Sequence, residues 1–236
     1  MLKDLFNYFK EHNRPEIVET NGHIYSTRSL ERLDIEKTVR SLEVRSLSGL
    51  IDYIKSDFDT ECPFMVHVVN PTTVRLFDAL NIDNDRRTYV EANAMLPSIT
   101  FGRFMDLESF NIQLQAKFVS SEDSKALLHM TGSIVEDEGV TTEDNGVSQK
   151  VIAKTGVATR GEVEVPNPCI LRPIRTFVEI AQPESSFVLR LQKGPQAALF
   201  EADGGAWEIS AMHSIKEYLS KELAELIESE KVIVIA

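Results

Sequence analysis

Apolar residues along this chain recur at two spacings, and the spacing switches from block to block. Leu2, Leu5, Phe6 and Phe9 share one stripe of a helix over 2–13, which Pro15 stops from continuing. Glu16-Ile17-Val18-Glu19 and His23-Ile24-Tyr25-Ser26 then flank Thr20-Asn21-Gly22. An Asn-Gly pair between two such runs predicts a hairpin. Glu43-Val44-Arg45 reads as a strand fragment. Ser46 is placed to cap a helix reaching about Phe58, with Leu47, Leu50, Ile51 and Ile54 at helical spacing.

Period-two runs follow at Phe64 to Val69, Thr73 to Leu80 and Arg87 to Ala94, separated by Asn70-Pro71 and the polar cluster Asn81 to Asp85. This layout predicts an antiparallel meander. From Asp106 the period returns to helical, with Leu107, Phe110, Leu114 and Phe118 on one face. Ser120 or Ser121 caps a second helix to about Thr131, with Gly132 just past its end. Glu136 to Gly139 and Glu143 to Gly146 read as exposed acidic hairpin loops. A proline-punctuated ladder then runs from Val163 to Ala202. Its strands are Ile170 to Arg172, Ile174 to Ile180, Phe187 to Leu191 and Ala198 to Ala202, and it ends at the turn Asp203-Gly204-Gly205.

A long helix from about Ser210 to Glu228 carries Met212, Ile215, Leu219, Leu223 and Leu226 on its apolar stripe. Strands do not alternate strictly with helices, so the class is α+β. It would hold large antiparallel sheets of short strands, two mid-chain helices and a long C-terminal helix. The reading is one domain over 1–236, in which 1–60 is a helix-and-hairpin portion and 147–236 a β-rich portion ending in helix and strand. The last run, Val232 to Ile235, follows the acids Glu222, Glu225, Glu228 and Glu230 and is too apolar to stand in water. It must pair with the edge of its own sheet or with a neighbour's. The expectation is a homo-oligomer.

Composition narrows the function classes. With 236 residues, 42% of them hydrophobic and 26% charged, the chain can bury a sizeable core. No apolar run approaches the roughly 20 residues of a membrane helix. The segment Met1 to Phe6 mixes acids with hydrophobics and lacks a small-residue cleavage site, which argues against an export signal. A formal net charge of −12 disfavours non-specific nucleic-acid binding and attachment to anionic membranes. Cys62 and Cys169 lie far apart outside any CxxC pattern. They are expected to be reduced thiols in a cytoplasm, although a disulfide between them is not ruled out by spacing.

Candidate chemistry is sparse. The five histidines, His12, His23, His67, His129 and His213, show no ligand spacing, and there is no phosphate loop, G-x-S-x-G or dinucleotide fingerprint. No cofactor and no metal site is expected. The candidate ligand-binding residues are Arg172, Arg175 and Arg190. If the runs holding Arg175 and Arg190 pair, the two guanidinium groups meet, with Arg172 at the strand mouth. Guanidinium forks beside aromatics read phosphates or carboxylates. The plainer alternative pairs each arginine with Glu164, Glu179 or Glu201 across strands. Glu201 and Asp203, just before the Gly-Gly turn, are the candidates for a divalent metal or general-acid role, although Asp-Gly is also ordinary turn chemistry. Trp207 reads as a lid on the core or as a partner anchor.

The order Ser41 to Val44, Leu47 to Ile54, a meander, Phe104-Met105-Asp106-Leu107-Glu108-Ser109-Phe110 and a β-rich second half resembles the YfdQ-like proteins of phages and prophages. The similarity spans residues from about 40 to 190. It implies a phage-encoded protein in the bacterial cytoplasm, engaged with host defence or DNA metabolism, and it supplies no catalytic residues. Fold signals without a catalytic constellation point to a non-enzymatic binding protein that occupies a protein partner or a small anionic, nucleotide-like ligand. The alternative is a metal-dependent hydrolase or nuclease built on Glu201 and Asp203.

Overall fold

The computed structural model describes residues 2–12, 16–20, 23–26, 40–59, 63–81, 84–134, 141–144, 149–152, 167–192, 194 and 196–236. The fold is α+β. The chain divides into two compact units, residues 1–38 and 39–236. The first holds helix α1 (Leu2–His12) and an antiparallel hairpin, β1 (Ile17–Thr20) with β2 (His23–Ser26). The Asn-Gly turn expected between these strands lies outside the described residues.

The second unit opens with β3 (Leu42–Val44) and α2 (Leu47–Ser56). Ser46 caps α2 by accepting from the Gly49 amide at 3.0 Å, satisfying a donor that the first turn would leave orphaned. The meander follows as β4 (Phe64–Asn70), β5 (Thr73–Phe77) and β6 (Thr88–Asn93). Next come β7 (Met105–Asp106), α3 (Leu107–Lys117), β8 (Phe118–Val119) and α4 (Glu122–Gly132). Asp106 and Ser121 are the N-caps of the two helices. Gly132 is inside α4, and Ser133 ends the helix by donating to the Met130 carbonyl. A hairpin, β9 (Thr141–Asp144) with β10 (Gln149–Ile152), occupies the acidic region. Glu136 to Gly139 fall outside the described residues.

The ladder provides β11 (Cys169–Pro173), β12 (Ser185–Gln192) and β13 (Gln196–Glu201). The run Ile174 to Ile180, expected as a strand, is instead an irregular loop. Its burial does not alternate: Thr176 and Phe177 are both buried, as is Ile180, while Val178 is exposed. The Ile174 amide donates to the Lys117 carbonyl at 2.9 Å, and the backbone of the next three residues is served by one side chain. The Gln182 carbonyl oxygen accepts from the amides of Arg175 (2.9 Å) and Thr176 (3.2 Å), and its amide group donates to the Phe177 carbonyl (3.1 Å). A local partner of this kind removes the need for a ladder neighbour. The C-terminal helical stretch begins earlier than expected, as α5 (Ala206–Glu222), breaks at Leu223 and continues as α6 (Ala224–Glu228) before strand β14 (Val232–Ile235).

Two five-stranded sheets organise this unit, in the orders β14-β4-β5-β6-β3 and β7-β13-β12-β11-β8. The first is mixed, because its edge strands β14 and β3 run parallel to their neighbours β4 and β6. Its inner face (Val66, Val68, Val74, Leu76, Val90) packs on α2 and α5 through Leu50, Ile54, Ile215 and Leu219. The second is antiparallel and shares a core with α3 and α4 built from Phe110, Leu114, Leu127, Leu171, Phe187 and Leu199. Each such fully buried side chain contributes about 1.5–3 kcal/mol before entropy. The 174–182 loop joins the two: it follows a strand of the second sheet yet seats Phe177 and Ile180 in the first core. There Thr176 donates its hydroxyl to the Pro71 carbonyl at 2.6 Å. Among the described residues no helix is long and apolar enough to cross a membrane.

Candidate functional site

The three candidate arginines go to three different places. Arg172 is on β11 and donates both Nε and a terminal nitrogen to Glu184, an exposed pair. Arg190 is on β12, opposite Ala198 of β13, and one of its terminal nitrogens is buried with no hydrogen-bond partner. Arg175, on the loop, turns beneath β12 instead of lying on a strand. It contacts Ser185 and stands 5.9 Å from the Phe187 ring centroid. Those residues alternate with the Arg190 position along β12, so the two guanidinium groups approach opposite faces of the sheet. The loop conformation of 174–180 is the reason: no strand pairing brings Arg175 beside Arg190.

Arg175 and the two candidate acids form one cluster. The Arg175 side chain is 8% exposed, and its guanidinium meets Glu201 at 2.9 Å and Asp203 at 3.9 Å. The same group donates to the Ser185 hydroxyl, which in turn donates to Asp203. The second Asp203 oxygen accepts from the Gly205 amide at 3.1 Å. Gly204 and Gly205 have φ of 62° and 83°, which glycine adopts without the Cβ penalty, and this geometry turns the chain back so that the amide reaches the carboxylate. Above the guanidinium, Trp207 in the first turn of α5 places its ring centroid 3.8 Å away, a cation–π stack.

One guanidinium faces two carboxylates in the cluster. Burial lowers the Arg175 pKa, opposed by Glu201 and Asp203. Burial pushes Asp203 up, but the Ser185 hydroxyl, the Gly205 amide and Arg175 together outweigh it, and the net shift is downward. Ionised Asp203 is therefore stabilised in place. One carboxylate oxygen of Glu201 and both of Asp203 are engaged by neighbours in the chain. Among the described residues no group of three His, Cys, Asp or Glu side chains gathers as a cation site requires.

A separate cleft of about 430 Å³ opens between the 100–105 loop and α3, lined by Thr100, Arg103, Phe104, Met105 and by Ser109, Ile112, Gln113 and Lys117 of the helix. Helical spacing puts Ser109, Ile112, Gln113 and Lys117 toward one side of α3. Gln113, itself buried, holds the loop against the helix by accepting from the Thr100 amide (2.8 Å) and donating to its carbonyl (3.1 Å). Lys117 donates to the Ser98 carbonyl. Phe101 anchors the loop from below by stacking on Phe187 at 5.2 Å. Gly102, with φ of 67° and its amide bonded to the Leu199 carbonyl, reverses the chain so that Arg103 emerges. Phe104 then packs edge-on against Phe200. At the helix start Asp106 accepts from the Ser109 backbone and hydroxyl, which lowers its pKa.

The lining of this cleft includes none of the candidate arginines Arg172, Arg175 and Arg190. Its one local signal is Phe101-Gly102-Arg103-Phe104, a glycine turn presenting an arginine between aromatics. Gln113 and Lys117 come from the following helix and carry no motif of their own. No family model, no curated protein and no solved structure matches the chain.

Proposed function

We propose that this is a binding protein whose α3 cleft takes a small anionic, nucleotide-like ligand. The observation that carries the reading is the lining itself. Arg103 and Lys117 bring two cations to one cleft with no carboxylate among the lining residues, in a chain of net charge −12. Phe104, Met105 and Ile112 give it an apolar wall. Two cations with the Thr100 hydroxyl suit phosphate oxygens, and the wall suits a flat base. The volume falls within the range of small-molecule sites, roughly 300–1,000 Å³. The hydrolase reading finds less support, because Glu201 and Asp203 are both already engaged by Arg175, and Asp203 also by Ser185 and the Gly205 amide. The resemblance of residues from about 40 to 190 to YfdQ-like proteins supports setting this binding in the bacterial cytoplasm during phage infection, where a nucleotide-like ligand or its carrier is occupied, not converted.

The test is thermal shift and calorimetry on the full chain with pyrophosphate and a panel of ribo- and deoxyribonucleotides. A raised melting temperature that is lost in Arg103→Glu and in Lys117→Glu, but kept in Arg172→Glu, supports the reading. No shift with any anion, or a shift that Arg172→Glu abolishes, overturns it.

A further inference from the structure

Among the described residues the two sheets of the second unit have four edges, and three of them are protected against pairing. β7 and β8 are two residues long, and β3 is three residues long with Glu43 held by Arg45 at 3.0 Å. Short, charged edges are the usual defence against strand addition. The fourth edge, β14, is Val232-Ile233-Val234-Ile235, with no charge, proline or glycine. Val232 is buried and Val234 packs on the first core, whereas Ile233 and Ile235 stand 55% and 39% exposed.

A second observation lies on the outer face of the same sheet. Register places Ile233 beside Met65 and Ile235 beside His67, and Met65 opposite Phe77. Further across, the face becomes polar: Arg75 pairs with Glu91 at 2.7 Å, and Thr73 bonds Asn93 at 3.0 Å. Apolar surface is thus gathered at the unprotected edge and continues inward from it.

We propose that two copies of this chain join their β14 strands antiparallel across a two-fold axis at Val234, fusing two five-stranded sheets into one of ten. With Val234 opposite itself, Ile233 of one copy faces Ile235 of the other on the outer side, and the alternation matches on both faces. Charge favours this direction. Glu225, Glu228 and Glu230 precede the strand, so antiparallel pairing sends the two acidic segments to opposite ends of the joint, and parallel addition would set them side by side. The short, charged β3 edge is a poor acceptor, so the contact closes as a dimer and does not propagate as a fibre.

Sedimentation equilibrium of the full chain against the double variant Ile233→Lys/Ile235→Lys decides the matter. Both side chains lie outside the cores, and circular dichroism checks that the variant folds. The expected result is a dimer for the parent chain and a monomer for the variant at the same concentration. A parent that stays monomeric, or a variant that stays dimeric, overturns the proposal. Should the variant fail to fold, hydrogen exchange on the parent replaces it. Protection of the 232–236 amides that rises with protein concentration supports the joint, and concentration-independent protection rejects it.

Discussion

The guanidinium of Arg175 lies 3.8 Å from the centre of the Trp207 ring, joining the loop after β11 to the first turn of α5. Because Arg175 also meets Glu201 and Asp203, one side chain ties a loop, a strand end, a turn and a helix. Replacing Arg175 with Ala removes the cation from two carboxylates, one of them largely buried. Loss of one partner from a buried pair costs about 3–5 kcal/mol. Glu201 is 43% exposed, so solvent screening puts the expected loss near the lower end, about 3 kcal/mol. Urea denaturation measures it. Trp207, the single tryptophan, reports the local change as altered fluorescence in the native baseline. Arg175→Lys is expected to recover only part of the loss, since an ammonium cannot serve Glu201, Ser185 and the ring together.

Asp203 makes the cluster sensitive to acid. Burial opposes its charge, but the Ser185 hydroxyl, the Gly205 amide and Arg175 prevail and hold its pKa below the ordinary 3.8. A carboxyl whose folded pKa is depressed contributes stability that is complete well above its unfolded value. That contribution is lost as pH falls through 3.8 and then through the lower folded value. Urea midpoints measured from neutral pH downward should therefore fall in that window for the parent chain. Asp203→Asn should start less stable at neutral pH and fall less steeply. Equal slopes for the two proteins would show that Asp203 does not carry the dependence.

Much of the architecture is legible in the chain because local signals agree with tertiary demands. Ser46 and Ser121 cap their helices as their positions suggest, and β4 and β5 alternate buried and part-exposed residues along most of their length, with turn residues between the strands and register shifts at Val68/Asn70 and Leu76/Phe77. The loop at 174–182 is illegible for a physical reason. Its residues alternate like a strand, but Gln182 satisfies their backbone from outside the run, and Phe177 is drawn into a core across the molecule. Period alone cannot reveal a side chain that substitutes for a neighbouring strand. The arginine cluster is half legible: Glu201 is among the acids the spacing offers as an arginine partner, but Arg175 reaches it from a loop and not across strands, while Ser185 and Trp207 join it only through the fold. The α3 cleft draws on residues 100–117, where a turn and a helix face converge without a motif.

Cys169 is a probe of core integrity. It is fully buried, and desolvation, with a smaller contribution from Asp123, pushes its thiol up to about 12. The thiolate is the reactive form, so at neutral pH the folded protein presents almost none of it. In a Cys62→Ser background, labelling by a disulfide reagent should be negligible until the protein opens, and its rate in urea should track unfolding followed by fluorescence. Rapid labelling of the native state would mean that the second core opens readily.

Glu179 makes a bond across 131 residues of sequence, accepting from both the amide (3.1 Å) and the hydroxyl (3.2 Å) of Ser48 in the first turn of α2. A carboxylate at this end of a helix also interacts favourably with the exposed amide dipoles. Glu179→Ala should cost about 1–2 kcal/mol, combining a charge-assisted hydrogen bond with part of the dipole interaction. Glu179→Gln should retain the acceptor and lose the smaller charge-dependent share. A double-mutant cycle with Ser48→Ala separates the hydroxyl bond from the amide bond, which survives in Ser48→Ala.

Gln182 offers the sharpest separation of hydrogen bonding from packing. Its carbonyl oxygen takes two amides, and its amide nitrogen gives to the Phe177 carbonyl at 3.1 Å and to the Thr176 carbonyl at 3.4 Å. Gln182→Ala leaves part-buried backbone groups unserved, each costing about 1–3 kcal/mol if water cannot replace the partner. Gln182→Glu keeps the shape and both accepting bonds but turns an oxygen toward two carbonyl oxygens. If the loop is held by the donor half of this side chain, Glu is expected to be no more stable than Ala at neutral pH. Acidification should then recover part of the loss, as the protonated carboxyl regains a donor. If Glu instead matches the parent at neutral pH, the accepting half alone shapes the loop, and Phe177 stays seated without the bond from Gln182.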